Sequence, residues 1–301
     1  MSLGSFLLNK ENLETVGKKS WKFGRPLILE LGRRYYDSHR EEVEQIASNL
    51  AHMGLPHQGK ELDSVLEHII AHYYEKLFVL VKGYEAFWIA KNRIEIGDSL
   101  EPYLEAREQN KAVFIGQSHF GAAYLLGVAL MVQGFDLNVV GNFPEPVGSL
   151  LRNNIDKITE RFGVGRTTPI NLAEPGVDVP MEMMRLLKNR EIVSNVYDEN
   201  NQFCRPMNLL GRQIMGGTGM DLILKNFSDD EIIVVTPFLV RTSDETFRYE
   251  LDRHTLSGGD ITASFYKSLE SRVQKYYQQW YFLSELHHSF PQKTRLEGLR
   301  R

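Results

Sequence analysis

Two hydrophobic periods divide the chain near residue 111. Before that point apolar residues recur at three- and four-residue spacing. Val43, Ile46 and Leu50 fall on one helical face, and Leu62, Val65, Leu66, Ile69, Ile70, Tyr73, Leu77 and Leu80 continue the same kind of stripe until Gly83 interrupts it. Tyr73, Tyr74, Phe78, Tyr84, Phe87 and Trp88 supply either a helix–helix core or the wall of an apolar groove. Residues 99–110 set Leu100, Leu104 and Ala106 among charges, which predicts a solvated helix capped by Asp98 or Ser99 with Pro102 in its first turn. Beyond residue 111 short apolar runs alternate with helical stretches. The pattern predicts strands over 112–117, 137–140, 168–172, 192–196 and 232–240, and helices over 122–133, 149–162, 181–189, 219–226 and 261–280. Residues 246–251 alternate apolar and charged positions, as in a half-exposed edge strand. The fold class expected is α/β, a central largely parallel sheet flanked by helices, with an N-terminal helical layer. With no internal repeat, one domain spans 1–301: a helical lead-in (1–110), an α/β core (111–290) and a basic tail (291–301) carrying Lys293, Arg295, Arg300 and Arg301, expected to fray.

Composition narrows the function classes. Of 301 residues 42% are hydrophobic and 25% charged, enough for a folded core. The net charge of −4 offers no global attraction to nucleic acid. A single cysteine, Cys204, excludes an internal disulfide framework and fits a reducing, cytoplasmic compartment. No apolar run approaches the ~18–20 residues of a membrane span, and the opening residues lack the charged region of a secretory signal. A peripheral position on a membrane surface stays open. His287 and His288 are adjacent, not one helical turn apart, so no metal is expected, and no cofactor.

The candidate chemistry lies at the ends of strands. In Ala112-Val113-Phe114-Ile115-Gly116-Gln117-Ser118-His119-Phe120-Gly121 an apolar strand delivers His119 to the start of a helix. Neutral imidazole at that rim is suited to general-base work. Gly121 permits close backbone approach, and nearby N–H groups are candidate oxyanion donors. Asp198 follows the strand over 192–196 and is expected on the same rim, as either a site carboxylate or a turn residue. Arg241, ending the strand over 232–240, is a candidate for binding an anion or developing oxyanion. Arg152 and Arg161 lie on one helix, with solvation their default. Gly216-Gly217-Thr218-Gly219 matches no phosphate loop and reads as a tight turn with Thr218 near a helix start. Ser118 and His119 are neighbours on a strand, face opposite ways and do not form a nucleophile–base pair.

The order of these pieces carries a resemblance. Gln117-Ser118-His119-Phe120-Gly121, then Leu151-Arg152-Asn153-Asn154 to Arg161-Phe162-Gly163, Val196-Tyr197-Asp198-Glu199, Leu210-Gly211-Arg212, Gly217-Thr218-Gly219, Arg241 and Gln279-Trp280-Tyr281-Phe282 follow one another as in a known family. Val81-Lys82-Gly83-Tyr84-Glu85 and residues 100–110 resemble its helical lead-in. From about residue 40 to about residue 290 the chain resembles the lysophospholipid acyltransferase superfamily, and within it the late lipid A biosynthesis acyltransferases. The resemblance implies transfer of an acyl group from a thioester donor, acyl-CoA or acyl-carrier protein, to a lipid or a small amine or hydroxyl acceptor. It implies His119 as general base, Asp198 and Tyr124 beside it as catalytic residues, and Gly121, Arg152, Arg161, Thr218 and Arg241 as substrate-binding residues. Its lipid-acylating members usually carry an N-terminal membrane anchor that this sequence does not show, so the expectation is a cytoplasmic protein that meets the inner membrane face peripherally, through its aromatic N-terminal helices. One departure matters. The family's histidine motif ends in a carboxylate where this chain has Tyr124, and its Asn-Trp is replaced by Ala122-Ala123. Either Asp198 orients the imidazole instead, or Tyr124 hydrogen-bonds it, or the chain is a non-catalytic acyltransferase-like binding protein.

Overall fold

The structure, a computed structural model, describes residues 2–143, 145, 147–172, 176, 178–199 and 204–291. The N-terminal part is helical: α1 (Leu3–Leu7), α2 (Lys10–Gly17), α3 (Trp21–Ser38), α4 (Arg40–His52), α5 (Gly59–Val81) and α6 (Gly83–Arg93). A two-residue strand, β1 (Ile94–Glu95), and α7 (Glu101–Glu108) lead into β2 (Ala112–Gln117). Then follow α8 (Ala123–Val132), β3 (Leu137–Gly141), α9 (Val147–Phe162), β4 (Thr167–Asn171), α10 (Val179–Lys188) and β5 (Ile192–Val196). The chain continues through β6 (Cys204–Leu209), β7 (Arg212–Gly217), α11 (Gly219–Leu224), β8 (Ile232–Arg241), β9 (Phe247–His254) and α12 (Ile261–Tyr276).

Seven strands form one sheet in the order β1-β9-β8-β2-β5-β3-β4. Neighbouring pairs among β4, β3, β5, β2 and β8 are all parallel, whereas β9 pairs antiparallel with β8 and parallel with β1. This is the α/β architecture expected, with the helical lead-in packed against it. All ten residues of β8 and the first five of β2 are buried, which is why they read as continuous apolar runs. On α5, Tyr74 and Phe78 pack edge-on against Trp21 of α3, and the Tyr74 hydroxyl donates to the Trp21 carbonyl at 2.8 Å. Of the six aromatic residues singled out in the lead-in, Tyr74, Phe78 and Phe87 are core, and Tyr84 and Trp88 are exposed.

Several expectations are corrected. The strand over 246–251 extends to His254 and lies one place inside the edge, because β1 pairs outside it. Asp98 and Ser99 do not cap α7; they sit in a short turn (Gly97–Leu100), and the Ser99 hydroxyl donates instead to the Tyr249 carbonyl of β9 at 3.0 Å. The last helix stops at Tyr276, after which three short 3-10 turns carry the chain back across the sheet end. The hairpin of β6 and β7, paired antiparallel in its own two-stranded sheet, was not anticipated. Among the described residues no helix is long and apolar enough to cross a membrane. Lys293, Arg295, Arg300 and Arg301 lie outside the described residues.

Candidate active site

The sheet register brings the first two site residues together. Gln117 at the end of β2 pairs with Val196 at the end of β5, so His119 and Asp198 each stand two residues beyond a matched pair on adjacent strands. Asp198 Oδ1 lies 2.9 Å from His119 Nδ1, and Asp198 Oδ2 accepts the His119 backbone N–H at 2.9 Å. Oδ2 also accepts the indole N–H of Trp280 at 2.9 Å. Asp198 is buried and Trp280 fully so, so the carboxylate is fixed by three donors on two segments, the histidine loop and the segment around Trp280. With Nδ1 bound to Asp198, Nε2 is the free-facing nitrogen of the ring. It lies 3.3 Å from Glu199 Oε1. Burial opposes charge on the His119 ring, but attraction to Asp198, the hydrogen bond between them and the charges of Glu199 and Glu285 leave its pKa raised. Desolvation raises the Glu199 carboxyl, and the charge on His119 counteracts it.

The histidine loop is clamped from both sides. Gly121 has φ +63°, and a Cβ there would come within 2.0 Å of the Leu239 carbonyl oxygen. Only glycine allows this approach without displacing β8. The Gly121 N–H donates to the Gln279 carbonyl at 2.9 Å, the Ala122 N–H to the Leu239 carbonyl at 2.8 Å, and the Tyr281 N–H to the His119 carbonyl at 2.9 Å. Gln279 mimics a strand: its side-chain amide accepts from the Arg241 N–H at 2.8 Å and donates to the Arg241 carbonyl at 2.9 Å.

These bonds change the roles expected for three residues. The N–H of Gly121 is engaged by Gln279 and is not presented to a substrate. Arg241 is buried and turned away from solvent, with Nε 2.6 Å from Glu75 Oε1 and Nη2 2.8 Å from both Glu75 Oε2 and the Gly121 carbonyl. It ties α5 to the histidine loop rather than reaching a ligand. Burial raises the Glu75 carboxyl, against the pull of Arg241. Tyr124 makes no hydrogen bond to His119; its ring packs edge-on against His72 at 4.9 Å and lies 5.2 Å from Lys76 Nζ.

One cavity of about 700 Å³ opens at His119, within the range of small-molecule sites. Its mouth is polar, lined by His72, Lys76, His119, Tyr124, Glu199 and Glu285. Its body is apolar, running between α5, α6, α8 and α9 and the sheet, with Leu80, Val128, Met131, Val139, Ile155 and Ile158 among its walls. Arg152 and Arg161 are exposed on α9, Arg152 paired with Glu145 at 3.0 Å and Arg161 stacked over Tyr84 at 4.9 Å; neither lines the cavity. Thr218 precedes α11 without a side-chain cap bond and does not line it either. Sequence reasoning therefore placed His119, Asp198 and Tyr124 at the site, and missed His72, Glu75, Glu199, Glu285 and Trp280. The helical stripe did mark the turn carrying His72 and Glu75, but nothing in it distinguished a cavity wall from core. No family model matches the chain, and no curated protein matches it.

Proposed function

We propose that the protein is an acyltransferase of the lysophospholipid acyltransferase type, moving an acyl group from a thioester donor to a hydroxyl or amine acceptor. One observation carries the reading: a carboxylate-oriented histidine sits where a polar mouth meets a largely apolar cavity. The apolar body suits a fatty acyl chain, whose burial stabilises the complex by roughly 0.8 kcal/mol per methylene, and holds the thioester carbonyl near His119.

In this mechanism the acceptor displaces Glu199 from His119 Nε2. Its O–H or N–H proton passes to Nε2 as its oxygen or nitrogen attacks the thioester carbonyl carbon. The carbonyl π pair moves onto oxygen. The tetrahedral intermediate collapses with C–S cleavage, and the thiolate leaves with the proton from Nε2. Asp198 holds the ring through Nδ1 and stabilises the imidazolium that forms. A binding protein without turnover was the alternative suggested by Tyr124; Asp198 supplies the orienting carboxylate that Tyr124 lacks, which favours catalysis.

The test measures thiol release and acylated product from a long-chain acyl thioester with a panel of lipid, alcohol and amine acceptors. Turnover by the wild type and loss of at least ~10²-fold in His119→Ala, the scale of general-base catalysis, are expected. Equal turnover by the two proteins would remove the mechanism.

A further inference from the structure

The oxyanion formed in this reaction needs a donor, and the donors expected from the sequence are engaged elsewhere. The N–H groups of Gly121 and Ala122 are bound to the carbonyls of Gln279 and Leu239. Arg241 directs Nε and Nη2 at Glu75 and the Gly121 carbonyl; its Nη1 is sealed without a partner, and the residue does not line the cavity. The Tyr281 hydroxyl is shared with Tyr73 at 2.5 Å and with Glu285 at 3.2 Å.

His72 stands opposite. It is 2% exposed, yet it lines the cavity, with its ring centroid 6.2 Å from that of His119. The ring is held on two sides, stacked on Tyr281 at 4.1 Å with planes 9° apart and met edge-on by Tyr124 at 4.9 Å. Nδ1 is sealed from solvent without a hydrogen-bond partner, so the ring presents its other nitrogen, Nε2, to the cavity. A buried N–H left unbonded costs more than a buried lone pair, which places the ring proton on Nε2. Burial, and then the neighbouring charges of His119, Arg241 and Lys76, hold the imidazole pKa well below its ordinary value. The ring is therefore a neutral donor at working pH, the form in which an imidazole polarises a carbonyl without giving up its proton.

We propose that His72, through Nε2–H, hydrogen-bonds the thioester carbonyl and the oxyanion derived from it, on the opposite side of the reacting carbon from His119. This rests on the acyl-transfer reading above. No proton is transferred at His72; its hydrogen bond strengthens as charge develops on the oxygen. Tyr124 then has a role that a carboxylate could not fill at that position: its ring packs the imidazole in place without charging it.

The experiment uses the full chain and a long-chain acyl-pantetheine analogue in which CH₂ replaces the thioester sulfur, labelled with ¹³C at the ketone. The pantetheine ketone is common to CoA and carrier-protein donors and cannot be transferred. Bound to the wild type, its carbonyl stretch should move to lower frequency than in water-free solvent. In His72→Phe, which removes no protein hydrogen bond, binding should persist and the shift should vanish; in His72→Gln, which keeps an N–H donor, part of it should return. With thioester substrate, His72→Phe should lower kcat by about 10²–10³ with little change in KM. An unchanged carbonyl shift in His72→Phe overturns the proposal while leaving acyl transfer intact. Failure of the wild type to bind the ketone overturns the donor reading and this proposal with it.

Discussion

Asp198 holds His119 at two points, ring and backbone, and is itself held by Trp280. Replacing it with asparagine keeps the shape but substitutes a neutral amide for the anion facing Nδ1. Because an imidazolium then loses its stabilising charge, Asp198→Asn is expected to lower kcat by up to ~10⁴ with a modest change in KM. The pH profile gives a second readout. His119 acts as a base only when neutral, and its folded pKa is raised, so the wild-type rate should climb through a pH above the ordinary histidine value of about 6.5. In Asp198→Asn that limb should move to lower pH. Steady-state kinetics across pH check both effects, and a variant within tenfold of wild type with an unmoved limb would reject the dyad. At this scale the sequence was informative where strand ends named the residue: His119 and Asp198 each follow the last residue of a strand by two positions. It misplaced Arg241, because the strand pattern reports that the residue ends β8 and says nothing of Glu75, which lies on a helix far away in the chain.

The cavity belongs to the elements rather than to any residue. Four helices and the strands β3 and β4 each contribute a few side chains, and α8, apolar nearly all round, is buried between the sheet and α5 and α6. Val128 of α8 lines the cavity wall and is itself nearly buried. On the proposed acyl-transfer reading, Val128→Phe should shorten the acyl chain that fits best, since each methylene excluded forfeits roughly 0.8 kcal/mol of burial. Competition between thioesters of graded chain length reads this directly; an unaltered preference would mean the chain lies elsewhere. Overpacking itself costs about 1–3 kcal/mol, so thermal unfolding of the variant accompanies the assay. The central strands β2 and β8 were readable because they are buried on both faces and read as near-continuous apolar runs. The hairpin of β6 and β7 was not, since its exposed and buried positions form too short an alternation, in Cys204–Leu209 the run intermediate-intermediate-exposed-buried-exposed-buried. The cavity was invisible for a different reason: Leu80 or Ile158 facing empty space has the same identity as a leucine or isoleucine facing another side chain.

For the whole molecule, buried and half-buried histidines set the response to acid. His68 and His254 are each pushed down by burial to about 4, and both nitrogens of His254 are engaged, by the hydroxyls of Thr236 at 2.8 Å and Ser264 at 2.9 Å. His72 lies lower than the ordinary value as well. The unfolded chain takes up these protons near 6.5, whereas the folded chain refuses those of His68 and His254 until about 4 and that of His72 until well below its ordinary value. The stability they contribute is therefore complete above about 6.5 and is lost as pH falls towards 4. His119 has the opposite sign: its raised pKa adds stability at low pH that is lost as pH rises through its folded value. His287 is lowered by burial too, so with four lowered rings against one raised among the described residues, the unfolding midpoint should fall as pH drops through this window, and a flat or rising curve in a calorimetric pH series would contradict the assignment. The Trp280–Asp198–His119 chain has a further consequence in the order of biosynthesis. Asp198 follows His119 by 79 residues, and Trp280 follows Asp198 by another 82. A chain emerging from the ribosome, folding from its N-terminal side, exposes the histidine long before the aspartate is fixed against it. The His119 ring gains its fully fixed carboxylate only once the segment around Trp280 has docked, so in a half-made chain the imidazole lacks the partner that orients it.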